Sequence, residues 1–149
     1  MPYSKILISV DGSPDSLFAC EVAASLLEPA SGGRVFHLLH CLEHVQSLLG
    51  GQPRKHILRS NAEAADAIFA KAVAFFESRG FVCKTHISDG DPGMEIARVA
   101  KELGCEVIVM GTRGNGVLKN LFLGSVSQSV LQHAAVPVLL ANRALAKQE

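Results

Sequence analysis

The sequence predicts an α/β fold, a doubly wound five-stranded parallel sheet with helices on both faces. Short, continuous apolar runs alternate along the chain with stretches whose apolar residues recur at helical spacing. The runs at 5–10 (KILISV) and 106–110 (EVIVM) are too continuous for a sheet with one wet face, so they read as strands covered on both sides. Turn-and-cap signals stand between strands and helices, DGSPD at 11–15 and GDP at 90–92. With 149 residues, 48% of them apolar and no Trp, the chain suits one aliphatic domain over 1–149.

The first strand, 5–10, runs into a turn where Ser13 is a natural N-cap, Pro14 takes the first helical position and Asp15 complements the helix dipole. The helix extends to about Leu27 with Phe18, Val22 and Leu26 on one face beside Ala19 and Ala23, and the PASGG segment at 29–33 stops it. Residues 34–41 form the second strand, joined by a crossover whose default hand is right. Residues 43–60 read as irregular, because Gly50, Gly51 and Pro53 break any period; a short helix over 44–49 and a flap lying over a ligand are the expectations there. A long helix starts near Asn61 and reaches Arg79, its stripe being Ala65, Ile68, Phe69, Ala72, Phe75 and Phe76, with Gly80 just past its end. The third strand, 81–88, carries Lys84 and mixed polarity, which suits an edge. Asp91 caps the next helix, which turns Ile96, Val99, Ala100 and Leu103 inward and stops at Gly104. The fourth strand, 106–110, leads into a glycine-rich loop and a helix over 125–133. The fifth, 136–141, contains Pro137, which lacks a ladder donor and so belongs at an edge or near a strand start; 142–149 read as a tail.

Fourteen basic residues balance fourteen acidic ones, so no global field recruits nucleic acid or an anionic membrane. Cys20, Cys41, Cys83 and Cys105 have no C-x-x-C or zinc-knuckle spacing and read as reduced, mostly buried hydrophobes. The start of the sequence has no long apolar leader and no run is long enough to span a bilayer, which points to a cytoplasmic chain. His37 and His40 are three apart in a strand, on opposite faces, and make a poor metal pair; both His40 and Cys41 also suit a core.

The chemistry concentrates in GTRGNGVLKNLFLGSVS, residues 111–127. Glycines between a strand and a helix let the backbone approach a ligand, while the first N–H groups of the helix favour an anion. A loop that merely needs glycines to turn looks the same, so spacing has to decide. The Walker pattern fails because Gly116 is followed by Val117 and Leu118 where Lys and Ser or Thr are required; the dinucleotide G-x-G-x-x-G fails because Lys119 stands at its third glycine.

What the stretch resembles is the nucleotide loop of the universal stress protein family, G-x2-G-x9-G-[ST], filled by Gly111, Gly114, Gly124 and Ser125. The likeness extends to the ILISVDGS opening, the HLLHC strand, the GDP turn and the VPVLL close. It implies an adenine-nucleotide alpha-hydrolase-like sheet of order 3-2-1-4-5, with ligands at the switch point between the first and fourth strands. It also implies ATP, with ADP or AMP as alternatives and Mg accompanying ATP. Phosphates would lie on Gly111, Gly114, Gly124 and Ser125, the Val126 amide and the Ser127 hydroxyl, with Thr112 and Arg113 in the same loop and Arg113 or Lys119 neutralising charge. Asp11 would stand near the ribose or Mg, or only organise its turn with Gly12 and Ser13. The base would lie against Cys41, commonly Val in relatives, whose main chain reads its edge; Ser9, often Pro in relatives, and Val10 and Met110 border it. Gln128, often Glu in relatives, departs from the pattern without touching the phosphate loop.

The resemblance further implies a homodimer through the fifth strand, with Val136, Val138 and Leu140 supplying the apolar surface, and a regulatory protein partner. No nucleophile and base stand out, so a nucleotide-dependent regulator of the stress response with slow or no hydrolysis is expected rather than an enzyme. The alternatives are a nucleotide-free interaction module of the same fold, against which the intact glycines argue, and a small adenine-nucleotide hydrolase, which would need further motifs. A flavin binder is poorer still, for want of aromatic residues in the relevant loops.

Overall fold

A computed structural model describes residues 3–26, 34–42, 54–112 and 123–143, with the side chains of 54–62 excepted. In chain order its elements are β1 (Lys5–Ser9), α1 (Pro14–Ser25), β2 (Val35–Leu42), α2 (Arg54–Glu77), β3 (Val82–Asp89), α3 (Pro92–Leu103), β4 (Val107–Gly111), α4 (Ser125–His133) and β5 (Val138–Ala141). All strand pairs are parallel and the sheet order is β3-β2-β1-β4-β5, as expected. The chain leaves β1 toward β2 on one side and returns to β4 on the other, so the carboxyl ends of β1 and β4 form the switch point.

Strand alternation divides the core into two layers. Ile6, Ile8, Val10, Phe36, Leu38, Val107 and Val109 face α1 and α2. Leu7, Leu39, Ile108 and Met110 face α3 and α4, where they meet Ile96, Val99, Ala100 and Val130. Both β3 and β5 are edges, and Pro137 lies just before β5, where its carbonyl accepts from Ile108 N at 3.0 Å. Proline's missing N–H therefore costs the ladder nothing.

Two helices depart from expectation. The α2 helix starts at Arg54, so 54–60 are helical and not irregular, and Asn61 is an interior residue rather than a cap. Arg, Lys and Leu in that segment are good helix formers, and one Asn costs a helix little. The expected short helix and flap over 43–53 lie outside the described residues. In α1 the buried residues are Ser16, Ala19, Cys20, Ala23 and Ala24; Phe18 and Val22 flank them, and Leu26 is 58% exposed. Small residues win that face because α1 approaches the sheet closely, as the geometry at Gly111 shows below.

All four cysteines are free thiols, with Cys20 and Cys105 buried. Among the described residues, no helix is long and apolar enough to cross a membrane, and no group of three or more His, Cys, Asp or Glu side chains could hold a metal. His37 pairs with His86 of β3, Nδ1 to Nε2 at 2.9 Å, whereas His40 meets the Phe69 ring of α2, so the two do point to opposite faces.

Burial and the charge of His86 hold His37 below the usual histidine range, with Lys84 and Lys5 pressing the same way; burial and Lys84 do so for His86. The unfolded chain therefore binds protons that the folded pair resists. Stability is fully present above the ordinary histidine value, about 6.5, and is lost as pH falls through it toward the depressed folded values. Urea unfolding midpoints should drop between pH 7.5 and pH 5 in the wild type and less steeply in His86→Asn; parallel slopes would exclude the pair as the cause.

Candidate functional site

Of the helices that begin at the carboxyl edge of the sheet, α1, α3 and α4 differ in how their starts are capped. In α1 the Ser13 side chain accepts from Ser16 N, and in α3 the Asp91 side chain accepts from Met94 N, so both starts are capped. In α4 the cap residue is Gly124, which has no side chain to give. The first bond of that helix is Gln128 N to Gly124 O, which leaves the Ser125, Val126 and Ser127 amides without an intrahelical acceptor. Beside them the Thr112 hydroxyl is buried and has no hydrogen-bond partner among the described residues. An unpaired buried hydroxyl costs about 1–3 kcal/mol, so this corner is polar and unsatisfied by the described protein groups.

What fixes α4 there is the end of β4. Gly124 N donates to Thr112 O at 2.7 Å, and the Ser127 hydroxyl donates to Gly111 O at 3.1 Å and Thr112 O at 3.4 Å. The Ser127 hydroxyl thus spends its proton on the main chain and anchors the helix start. Ser125 is exposed, and Val126 packs partly against the core below.

Gly111 has a packing reason to be glycine. A Cβ on it would stand 2.9 Å from Asp15 Cβ and 3.0 Å from the Asp15 backbone, so the absence of a side chain lets the first turn of α1 press on the end of β4. Asp11 organises its turn: Oδ1 accepts from Ser13 N at 2.8 Å, and its own N–H approaches Ser16 Oγ at 3.4 Å. Gly12 has φ 82° and lies under Ile68 of α2.

The Cys41 thiol donates to Pro92 O at 3.9 Å. Burial, reinforced by Glu95 and Asp91, pushes the thiol up to about 11, so it is a neutral wall at physiological pH. Ser9 ends β1 and Val10 follows it, Met110 is buried beneath α3 and α4, and Arg113, Gly114 and Lys119 lie outside the described residues.

Sequence reasoning missed the opposite wall. An open cleft of about 710 Å³ runs between the starts of α3 and α4, lined by Gly90, Asp91, Pro92, Gly93, Ser125, Val126 and Ser129. A Cβ on Gly93 would fall 2.1 Å from Ser129 Oγ, so only glycine allows these helices to cross this closely. The signal was a glycine in the first turn of a helix, where propensity gives it no advantage. Nearby, Arg98 pairs with Glu95 and Glu102 at 2.6 Å each, and Glu95 also bonds Ser88.

The sequence profile of the universal stress protein family matches residues 2–142. The chain belongs to that family. A universal stress protein of Thermus aquaticus is 34% identical over 93% of this chain and 98% of its own length. MJ0577 of Methanocaldococcus jannaschii is 39% identical over 67 residues, 45% of this chain and 41% of its own length. The solved structure of MJ0577 superposes with a TM-score of 0.86, covering 96% of this chain and 98% of that one at 26% identity. A universal stress protein from Archaeoglobus fulgidus, solved in complex with dAMP, shares the fold with a TM-score of 0.65 at 23% identity, covering 94% of this chain and 98% of its own.

The Gly111→Ala substitution drives a methyl into the Asp15 backbone, which a side-chain rotation cannot relieve. A loss of about 1–3 kcal/mol is expected by chemical denaturation. An unchanged midpoint would show that α1 does not press on β4 in solution.

Proposed function

We propose that this universal stress protein binds an adenine nucleotide, ATP first and ADP or AMP as alternatives, at the carboxyl edge of β1 and β4, and acts as a cytoplasmic, nucleotide-dependent regulator rather than a fast hydrolase. The uncapped start of α4 carries the reading. Three amides without intrahelical acceptors, a buried Thr112 hydroxyl with no partner among the described residues and the positive end of a helix dipole together suit a phosphate. A cleft of about 710 Å³ is within the size of small-ligand sites.

Gly111, Thr112, Gly124, Ser125, Val126 and Ser127 take the phosphates, with Arg113 and Gly114 completing the motif. Ser9, Val10, Cys41 and Met110 border the base, and Asp11 serves the ribose or gives one oxygen to Mg brought in on the nucleotide. Mg commonly binds through one or two carboxylates plus substrate phosphates, so one carboxylate is enough. The dAMP complex of the Archaeoglobus relative supports a nucleotide of this kind. Slow turnover is consistent with the commitments seen nearby, Asp11 to its turn and Arg98 to Glu95 and Glu102.

The β5 edge, with half-buried Val136, Val138 and Leu140, is the surface for a homodimer, and a regulatory protein partner would read which nucleotide is bound. The interaction module without nucleotide is the second reading.

The decisive experiment measures nucleotide released from freshly purified protein and then titrates ATP with Mg by calorimetry on wild type and Gly124→Val. Gly124 has φ −68° and ψ 164°, which any residue adopts, so the variant should fold. Its ATP affinity should fall by about tenfold or more, roughly 1.4 kcal/mol. Equal affinities, or a wild type that neither carries nor binds nucleotide, would overturn the reading.

A further inference from the structure

We infer that the His40 imidazole ends the β1–β2 ladder at the crevice and thereby frees the main-chain N–H and C=O of Cys41 for a ligand. His40 is on this view a positioning residue, acting through the backbone. The ligand part rests on the nucleotide reading above; the ladder part does not.

The register of β1 on β2 runs to Ser9 opposite Leu39, and one further bond follows, Val10 N to Leu39 O at 2.8 Å. Within a strand the N–H and C=O of one residue point to the same side, and alternate residues point to opposite sides. Since the Leu39 carbonyl faces β1, the N–H and C=O of Cys41, two residues on, face β1 as well. In a ladder continued by one rung, Cys41 N–H would donate to Val10 O. No backbone bond joins Cys41 to Val10 among the described residues. The Val10 carbonyl instead meets His40 Nδ1 at 2.8 Å. A carbonyl can only accept, so Nδ1 carries the proton.

The imidazole is held in place from α2, whose Phe69 ring meets it edge-on with centroids 6.3 Å apart. The neighbouring Ile68 covers Gly12. One turn of α2 therefore braces both the carbonyl lock and the Asp11 turn. Because backbone polar groups need partners, the released pair on Cys41 matches a ligand edge carrying an acceptor next to a donor, as a nucleobase does. The Cys41 side chain points away, toward Pro92, and does not obstruct it.

Amide hydrogen exchange by NMR tests this on nucleotide-free wild type, His40→Leu and His40→Asn, with ATP affinity measured on each. In the wild type the Cys41 amide should exchange about tenfold or more faster than that of Leu39. Leu removes the donor to Val10 O, so the Cys41 amide should take that acceptor, slow by about tenfold and weaken ATP binding by a similar factor. Asn, whose Nδ2 lies as many bonds from Cα as His Nδ1, should restore fast exchange and affinity, which a merely structural role would not predict. A protected Cys41 amide in the wild type, or exchange unchanged in His40→Leu, overturns the inference, and the wild-type measurement decides even if the Leu variant does not fold. The expected exchange pattern in a protein that binds no ATP would overturn the nucleotide reading and leave the ladder assignment standing.

Discussion

The carbonyls of Gly111 and Thr112 gather the site. They accept from the Gly124 amide and the Ser127 hydroxyl, and so tie the first turn of α4 to the last residues of β4. On the other face of the same residues, the missing side chain of Gly111 admits Asp15 and the start of α1. One short piece of strand therefore sets the distance between two helix starts on opposite faces of the sheet. Moving it would displace the uncapped amides of α4 and the Asp11 turn together.

The rest of the fold makes that piece rigid. Val107 and Val109 are buried toward α1 and α2, and Ile108 and Met110 toward α3 and α4, so β4 is packed from both sides. In the first layer Phe36 stacks on Phe76 with centroids 4.3 Å apart, and Phe81 meets both rings edge-on. In the second layer the missing side chain of Gly93 allows the near contact with Ser129 that shapes the cleft. A partly polar crevice thus stands at one end of a core whose strands are packed from both sides.

The order of the elements and the sheet were legible in the sequence because periodicity, caps and turn residues are local. Ser13 and Asp91 cap the helices that they announce, and Gly80 and Gly104 have the positive φ expected past a helix end. The start of α2 was not legible, since Asn61 looks like a cap wherever it stands and only the tertiary context shows it inside a helix. On α1 the expected face is kept, with Ala19 and Ala23 buried against the strands and Phe18 and Val22 packed beside them, and only Leu26, at the helix end, turns out to be exposed. At the site, the sequence named the residues of the loop but not the wall facing it. Asp91, Gly93 and Ser129 meet Ser125 and Val126 only after β3, α3 and α4 have folded against one another, and no local spacing carries that juxtaposition. The two purposes of Gly111, close packing and ligand approach, are likewise indistinguishable until Asp15 is seen beside it.

The central claim is that the first amides of α4 receive the phosphates of a nucleotide. Backbone 1H–15N chemical shifts on stepwise addition of ATP with Mg test it most directly. The largest changes should fall on Ser125, Val126, Ser127 and Thr112, with those of the distant His37 and His86 unmoved. Shifts confined to other parts of the surface, or no shift at the α4 start at saturating ATP, would contradict it.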